Sequence, residues 1–183
     1  MITPAIAPGR ATTKDLLTIT LDEQRVAGSA PQESETPLHL AIYRARPDVG
    51  AICRTYSRYA VIMGTLNRTI HVAHGFGGML GTVVPVHSES DLVVNAAMGD
   101  RVTVSLGKRT ALLLRGNGAL AVGPSIERAL INAVYLEESA MLPIMSAALD
   151  GPVPFAGDEL ERRAHWYEAE VHRAWDYYAW KFA

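Results

Sequence analysis

The sequence predicts an α/β protein. Three observations carry that expectation: stretches that alternate apolar and polar residues, stretches with apolar residues three and four apart, and Gly, Pro or Asn-Gly at the switches between them. At 183 residues, 49% hydrophobic and 20% charged, the chain fits one well-buried domain and is too apolar for disorder.

Taken in order, Leu16 to Leu21 reads as a strand of Leu, Ile and Thr ending at Asp22-Glu23-Gln24. A helix is expected over Pro37 to Ala45, since proline suits a first helical turn and Arg46-Pro47 stops what precedes it. Val49 to Tyr56 reads as a strand and Tyr59 to Leu66 as a helix ended by Asn67. The glycine-rich run from His74 to Gly81 reads as a loop, Thr82 to Val86 as a short strand, and Asp91 to Met98 as a helix.

Thr110 to Leu114 and Ala119 to Val122 are apolar runs around Arg115-Gly116-Asn117-Gly118, where Asn-Gly is a hairpin signal. Ser125 is a good N-cap, and Glu127 favours the dipole of the helix that follows. Ile126, Leu130, Ala133 and Val134 share one face of that helix, and Pro143 is expected to kink or end it. After a linker at Gly151-Pro152, one last helix is expected from about Asp158 toward Lys181.

Composition excludes several functions. A net charge of −2, with no run of basic residues, gives no field to hold nucleic acid or an anionic membrane. One cysteine, Cys53, forms neither an internal disulfide framework nor a thiolate cluster, which suits a reducing cytoplasm. The opening residues lack the charged and apolar regions of a signal peptide, and no stretch is long enough to span a bilayer. Seven of the thirteen aromatics lie between Trp166 and Phe182, on several faces of a helix, which points to contact with a second subunit as well as with the core.

The run Ser34-Glu35-Thr36-Pro37-Leu38-His39, then Ile42-Tyr43 and Arg46-Pro47-Asp48-Val49, resembles the class II aldolase/adducin family. There a Ser-Glu-x-x-x-His helix leads through Arg-Pro-Asp into a strand ending in His-x-His. The resemblance continues through Leu66-Asn67-Arg68, Arg115-Gly116-Asn117-Gly118, Gly123 and Leu136-Glu137, so it covers nearly everything from Ile2-Thr3-Pro4 onward. Arg115 and the ending Arg173-Ala174-Trp175-Asp176-Tyr177-Tyr178 are most similar to the branch of pyridine dicarboxylate decarboxylases. The resemblance implies a three-layer α/β/α sandwich with a central mixed sheet. It also implies a homo-oligomer, a tetramer with active sites between subunits, into which residues 157–183 send an aromatic-rich helix. The family's opening helix and Gly-Asn-x-Ser strand have no counterpart here, so phosphate recognition of the sugar-phosphate aldolase kind is not expected.

By the same resemblance, the His-x-His positions hold Arg54-Thr55-Tyr56, and the third histidine position holds Asn117. A guanidinium cannot ligate a metal, a neutral tyrosine is a poor ligand and an amide a weak one. No metal and no other cofactor is therefore expected. The expected catalytic set is Glu35, Arg54, Tyr56 and Asn117: Arg54 in place of the cation, Glu35 moving a proton, Tyr56 and Asn117 donating hydrogen bonds. The alternative is an Arg54–Glu35 salt bridge filling the former metal pocket in a non-catalytic, adducin-like assembly module. Arg115, His39, His74 and Gly116 complete the set on the substrate side. Arg115 either binds a substrate carboxylate or pairs with a surface acid, and His39 either orients Glu35 or packs. His71, His74 and His87 could in principle build a relocated metal site, although surface or structural histidines are the simpler reading. The expected function is a metal-independent, lyase-like enzyme acting on a small carbonyl or carboxylate compound by proton transfer at carbon, in decarboxylation, aldol chemistry, elimination or cyclisation. Bacterial specialised biosynthesis would suit so altered a site.

Overall fold

In the computed structural model, which describes residues 1–182, the first predicted strand is real only at its centre. β1 (Thr18–Ile19) pairs antiparallel with β2 (Arg25–Ala27), and Leu17 is bridged to Ile2 instead. Next come α1 (Thr36–Ala45), β3 (Ala51–Thr55) and α2 (Arg58–Thr65), after which Asn67 at φ 51° reverses the chain. β4 (Ile70–His71) leads to a single 3₁₀ turn at Phe76–Leu80, inside the predicted glycine-rich loop. The strand read at Thr82 to Val86 is two strands, β5 (Val83–Val84) and β6 (Val86–His87), with Pro85 between them.

α3 (Ala96–Leu106) starts five residues later than the sequence suggested. Asn95 is the reason: its Oδ1 accepts the Met98 amide at 3.0 Å, so it caps the first turn. β7 (Ala111–Leu114), β8 (Ala119–Gly123) and α4 (Ile126–Met145) follow, the last capped by Ser125 as expected and continuing two residues past Pro143. The predicted terminal helix is broken into α5 (Gly157–Arg163), a 3₁₀ turn at Ala164–Trp166 and α6 (Tyr167–Phe182).

These elements group into two compact units. In the first, Met1–Pro47 with Leu92–Val104, Arg44 ties the β-ribbon to α1 by donating Nε to the Leu21 carbonyl at 2.9 Å. Gly99 lets α3 approach α1 closely: a Cβ there would lie 2.8 Å from that of Ala41 and 2.7 Å from the Pro37 carbonyl oxygen.

The second unit, Asp48–Asp91 with Ser105 onward, holds a four-stranded sheet in the order β3-β8-β7-β6. β3, β8 and β7 are antiparallel neighbours and β6 is parallel to β7, so the sheet is mixed. Every residue of β7 and β8 is buried, as in a sheet covered on both faces. α2 and α4 pack on this sheet, and Ala60, Met63, Leu113, Ala121, Ala133 and Leu136 fill the space between. α4 buries Ala129, Ile131, Ala133, Tyr135, Leu136 and Ala140, so of the predicted face Ala133 is buried and Leu130 and Val134 are half-buried, while Ile126, 68% exposed, is corrected. A second cluster of Met79, Ile131, Tyr135, Tyr167, Val171 and Ala174 docks α6 on another side of α4, which is why one narrow stripe could not describe that helix.

Candidate functional site

The β7–β8 turn and the end of β3 build the site. Gly116 and Gly118 take φ of 71° and 73°, conformations that L side chains rarely adopt. The turn closes when Asn117 donates its amide to the Leu114 carbonyl at 3.0 Å and Leu114 donates to Gly118 at 2.9 Å. Gly118 also makes room for β3, because a Cβ there would meet the Thr55 carbonyl oxygen at 2.2 Å and Arg54 Nη1 at 2.9 Å. Asn117 is thereby buried beside the end of β3.

Strand alternation puts Arg54 and Tyr56 on the same side, and the Arg54 guanidinium carbon lies 4.8 Å from the Tyr56 ring centroid. Arg54 Nη1 donates to the carbonyl oxygens of Thr55 at 3.1 Å and Ala119 at 3.3 Å, and Nη2 reaches the Tyr56 hydroxyl at 3.4 Å. That hydroxyl donates in turn to Asn117 Oδ1. A fixed cation thus leans on a phenol whose proton is directed at an amide, and 64% of Tyr56 is exposed. Such a chain can offer positive charge and hydrogen bonds to an oxyanion.

Arg115 is anchored next to it: its amide donates to the His87 carbonyl at 3.0 Å, and its Nε donates to the Ser88 carbonyl oxygen. Glu35 and His39 belong to the first unit. Glu35 immediately precedes α1, is half-buried, and accepts the Val93 amide on Oε1 at 3.2 Å; His39 sits four residues further, half-buried within α1.

His74 takes its contacts elsewhere. Its Nε2 lies 2.9 Å from Ser139 Oγ on α4, its ring meets Tyr135 edge-on at 6.3 Å, and burial holds its pKa below the ordinary value. His71 is exposed on β4, and buried His87 places Nδ1 2.8 Å from Ser105 Oγ. These three histidines share no partner in those bonds, and among the described residues no three His, Cys, Asp or Glu side chains gather around a point where one ion could sit. Burial pushes the Cys53 thiol up, which suits a packed strand residue and not a thiolate.

The divalent metal that the resemblance implies does not fit the residues present. At the three positions where the resemblance expects its histidines stand a guanidinium bonded to main-chain carbonyls, a phenol and the amide that accepts the phenol's proton. None offers the nitrogen or carboxylate lone pair that such an ion takes.

One contributor carried no assigned role in the sequence. Glu137 on α4 accepts the amides of Tyr59 at 2.9 Å and Ala60 at 2.9 Å, holding the start of α2 just after Tyr56. Its only sequence signal is its place in the Leu136-Glu137 pair of the family pattern.

A mixed sheet of this order, with a glycine turn beside the end of β3, defines a class II aldolase-like α/β protein. The chain belongs to the class II aldolase and adducin N-terminal domain family, which residues 2–144 match. It is 29% identical over 143 residues to the 3,4-dihydroxyphthalate decarboxylase of Terrabacter sp. (strain DBF63), covering 72% of this chain and 60% of that protein. It is 28% identical over 161 residues to the L-fuculose phosphate aldolase of Escherichia coli (strain K12), covering 87% of this chain and 74% of that one. A solved L-fuculose 1-phosphate aldolase superposes with a TM-score of 0.83 at 23% identity, over 91% of this chain and 78% of the other, which shows the shared fold.

Proposed function

We propose that this chain is a lyase of its family that works without the family's divalent metal, on a small carbonyl or carboxylate compound. The observation that carries the reading is the Arg54–Tyr56–Asn117 chain of hydrogen bonds at the positions corresponding to the metal-binding histidines. Arg54 supplies a permanent positive charge to a substrate carboxylate or to the enolate oxygen that forms as a bond to carbon breaks. The Tyr56 hydroxyl gives its one proton to Asn117 Oδ1, so Tyr56 orients the Asn117 side chain and presents its exposed ring beside the Arg54 cation. Glu35 is assigned the proton transfer on the strength of the resemblance, with His39 beside it on α1, and Arg115 with Gly116 frames the substrate. His74 faces Ser139 and Tyr135, so its part in substrate binding rests on the loop it belongs to. The relatives' names supply two reaction types, decarboxylation and aldol cleavage, and both leave charge that a fixed cation stabilises. A homo-oligomeric, single-domain cytoplasmic enzyme completes the reading.

A second reading, an adducin-like assembly module, is favoured by one observation: Arg54 also braces Thr55 and Ala119 through their carbonyl oxygens. The two readings separate in one experiment. Chelator-treated protein is assayed for carbon dioxide release from 3,4-dihydroxyphthalate and for cleavage of L-fuculose 1-phosphate and related hydroxy acids. Turnover without added metal that Arg54→Ala abolishes supports the enzyme. Activity that requires a divalent ion contradicts metal independence, and a folded protein inert toward the whole panel supports the module.

A further inference from the structure

The glycine-rich run from His74 to Gly81 is a surface on which α4 and α6 close. Gly77 lies against α4, where a Cβ would stand 2.6 Å from Ser139 Oγ. Gly78 lies against α6, where a Cβ would stand 2.0 Å from the Tyr167 hydroxyl oxygen. Close approach therefore requires glycine at both positions, and it seats the 3₁₀ turn at Phe76–Leu80 directly on the two helices.

Phe76 is held by a neighbour from each helix. Its ring centroid lies 5.3 Å from that of Tyr135 on α4, and the Arg173 guanidinium carbon of α6 lies 5.9 Å from it. One carboxylate joins these two contacts. Glu170 of α6 accepts the Tyr135 hydroxyl on Oε1 at 2.7 Å and pairs through Oε2 with Arg173. Glu170 is itself buried, so it fixes both partners from inside.

The seat carries a cost. The Tyr167 hydroxyl is packed dry against Gly78 and has no hydrogen-bond partner among the described residues. Water satisfies it only when the turn moves off, so closure is opposed at that point and opening relieves it. Gly81, at φ 84° and with nothing within 4 Å of a Cβ position, offers a hinge at the end of the turn.

We propose that Glu170 and Arg173 form a latch: docked, α6 keeps the glycine-rich turn closed through Tyr135 and Phe76, and with the latch broken the turn opens locally while the sheet stays folded. The latch consists of contacts within the second unit alone and needs no substrate.

The test is hydrogen–deuterium exchange of the full chain, read by mass spectrometry on peptides covering the turn and on peptides covering β7 and β8. In the wild type the turn should exchange well before the strands. Arg173→Ala, at a side chain 73% exposed, and Glu170→Gln should each speed exchange in the turn by roughly threefold to tenfold, the usual worth of an exposed ion pair with a cation–π contact. The strands should stay protected through the same interval. Tyr167→Phe removes the unsatisfied hydroxyl and should act in the opposite direction, slowing exchange by about fivefold. Arg162→Ala breaks an exposed pair with Asp158 and should leave the turn unchanged. Circular dichroism checks each fold; should Glu170→Gln misfold, Arg173→Ala and Tyr167→Phe decide. A wild-type turn as protected as the strands overturns the proposal. So does exchange that Arg173→Ala does not speed, that Tyr167→Phe does not slow, or that Arg162→Ala speeds as much as Arg173→Ala.

Discussion

The carboxylate of Glu137 holds the amide of Tyr59 from a different helix, with Oε1 2.9 Å and Oε2 3.1 Å from the nitrogen. Oε2 also takes the Ala60 amide at 2.9 Å. α2 needs this because Ser57, at its N-cap, makes no side-chain cap bond. A carboxylate at a helix N-terminus also meets the positive end of the helix dipole. Glu137 thus fixes the corner through which β3 delivers Tyr56 to the site. Glu137→Ala should therefore lower stability by about 2–3 kcal/mol, since charge-assisted bonds to buried amides are lost. For a domain of this size that is a drop in Tm of roughly 4–12 °C by calorimetry. Glu137→Gln, which keeps one acceptor oxygen, should lose less. An unchanged Tm in Glu137→Ala would show that water replaces the cap at no cost.

Arg54 is the residue on which the enzyme and the module diverge. Under the proposed function Arg54→Ala should lower kcat by about a hundredfold or more, as loss of an oxyanion-stabilising donor commonly does. Arg54→Lys should recover little, because an ammonium cannot span Thr55 and Ala119 while still reaching Tyr56. Tyr56→Phe should cost less than Arg54→Ala while leaving the ring that the guanidinium covers. If Arg54 serves only as a brace, Arg54→Ala lowers Tm and leaves any turnover of the surviving folded protein unchanged.

Local chemistry made much of this legible. The Asn117-Gly118 turn, the Ser125 cap and the reversal at Asn67 each follow from what those side chains and backbones can do, and each stands where it was read. The grouping of Arg54, Tyr56 and Asn117 followed from strand alternation and the family pattern. What escaped depends on residues distant in sequence. α3 starts later than the expected Asp91 because the Val93 amide is taken by Glu35, 58 residues earlier, and Asn95 caps the helix after it. The polar contacts of α6 escaped too: Tyr135 donates to Glu170 at 2.7 Å across 35 residues, a pairing no local pattern announces.

The donor set makes a prediction about metals that activity assays cannot blur. Elemental analysis after exposure to zinc or manganese should find no stoichiometric ion in the wild type, because Arg54, Tyr56 and Asn117 offer no suitable lone pairs. The triple variant Arg54→His, Tyr56→His, Asn117→His should hold about one ion per chain, three neutral imidazoles being a sufficient set. One tightly held ion in the wild type would contradict the reading of the site.

The outer face of α6 bears on assembly. Tyr167, Val171 and Ala174 are buried against α4, so truncation from Trp166 would strip the core along with any interface. Trp180 and Phe182, at 77% and 75% exposed, are the better probes. Trp180→Ser with Phe182→Ser should keep the fold and shift light scattering toward smaller species, if this aromatic face joins subunits. An unchanged mass would move the interface elsewhere.

His74 supplies a pH dependence with a definite sign. Burial lowers its pKa below the ordinary 6.5, so the folded protein keeps the imidazole neutral beside Ser139 where the unfolded chain protonates it. Below that unfolded value the unfolded state binds more protons, so stability is fully present above about pH 6.5 and is lost as the pH falls. Glu138 works in the opposite direction. Burial and the nearby Glu170 raise its pKa above 4.5, so its contribution is present at low pH and fades as the pH rises. The two are separated by substitution. His74→Asn removes the imidazole while leaving a neutral side chain in that space. Calorimetric Tm measured at pH 7.5 and 5.5 should fall more in the wild type than in His74→Asn, and the difference between the two proteins isolates the histidine. Equal falls would mean that His74 is protonated in the folded state, with Ser139 and Tyr135 accommodating the charge.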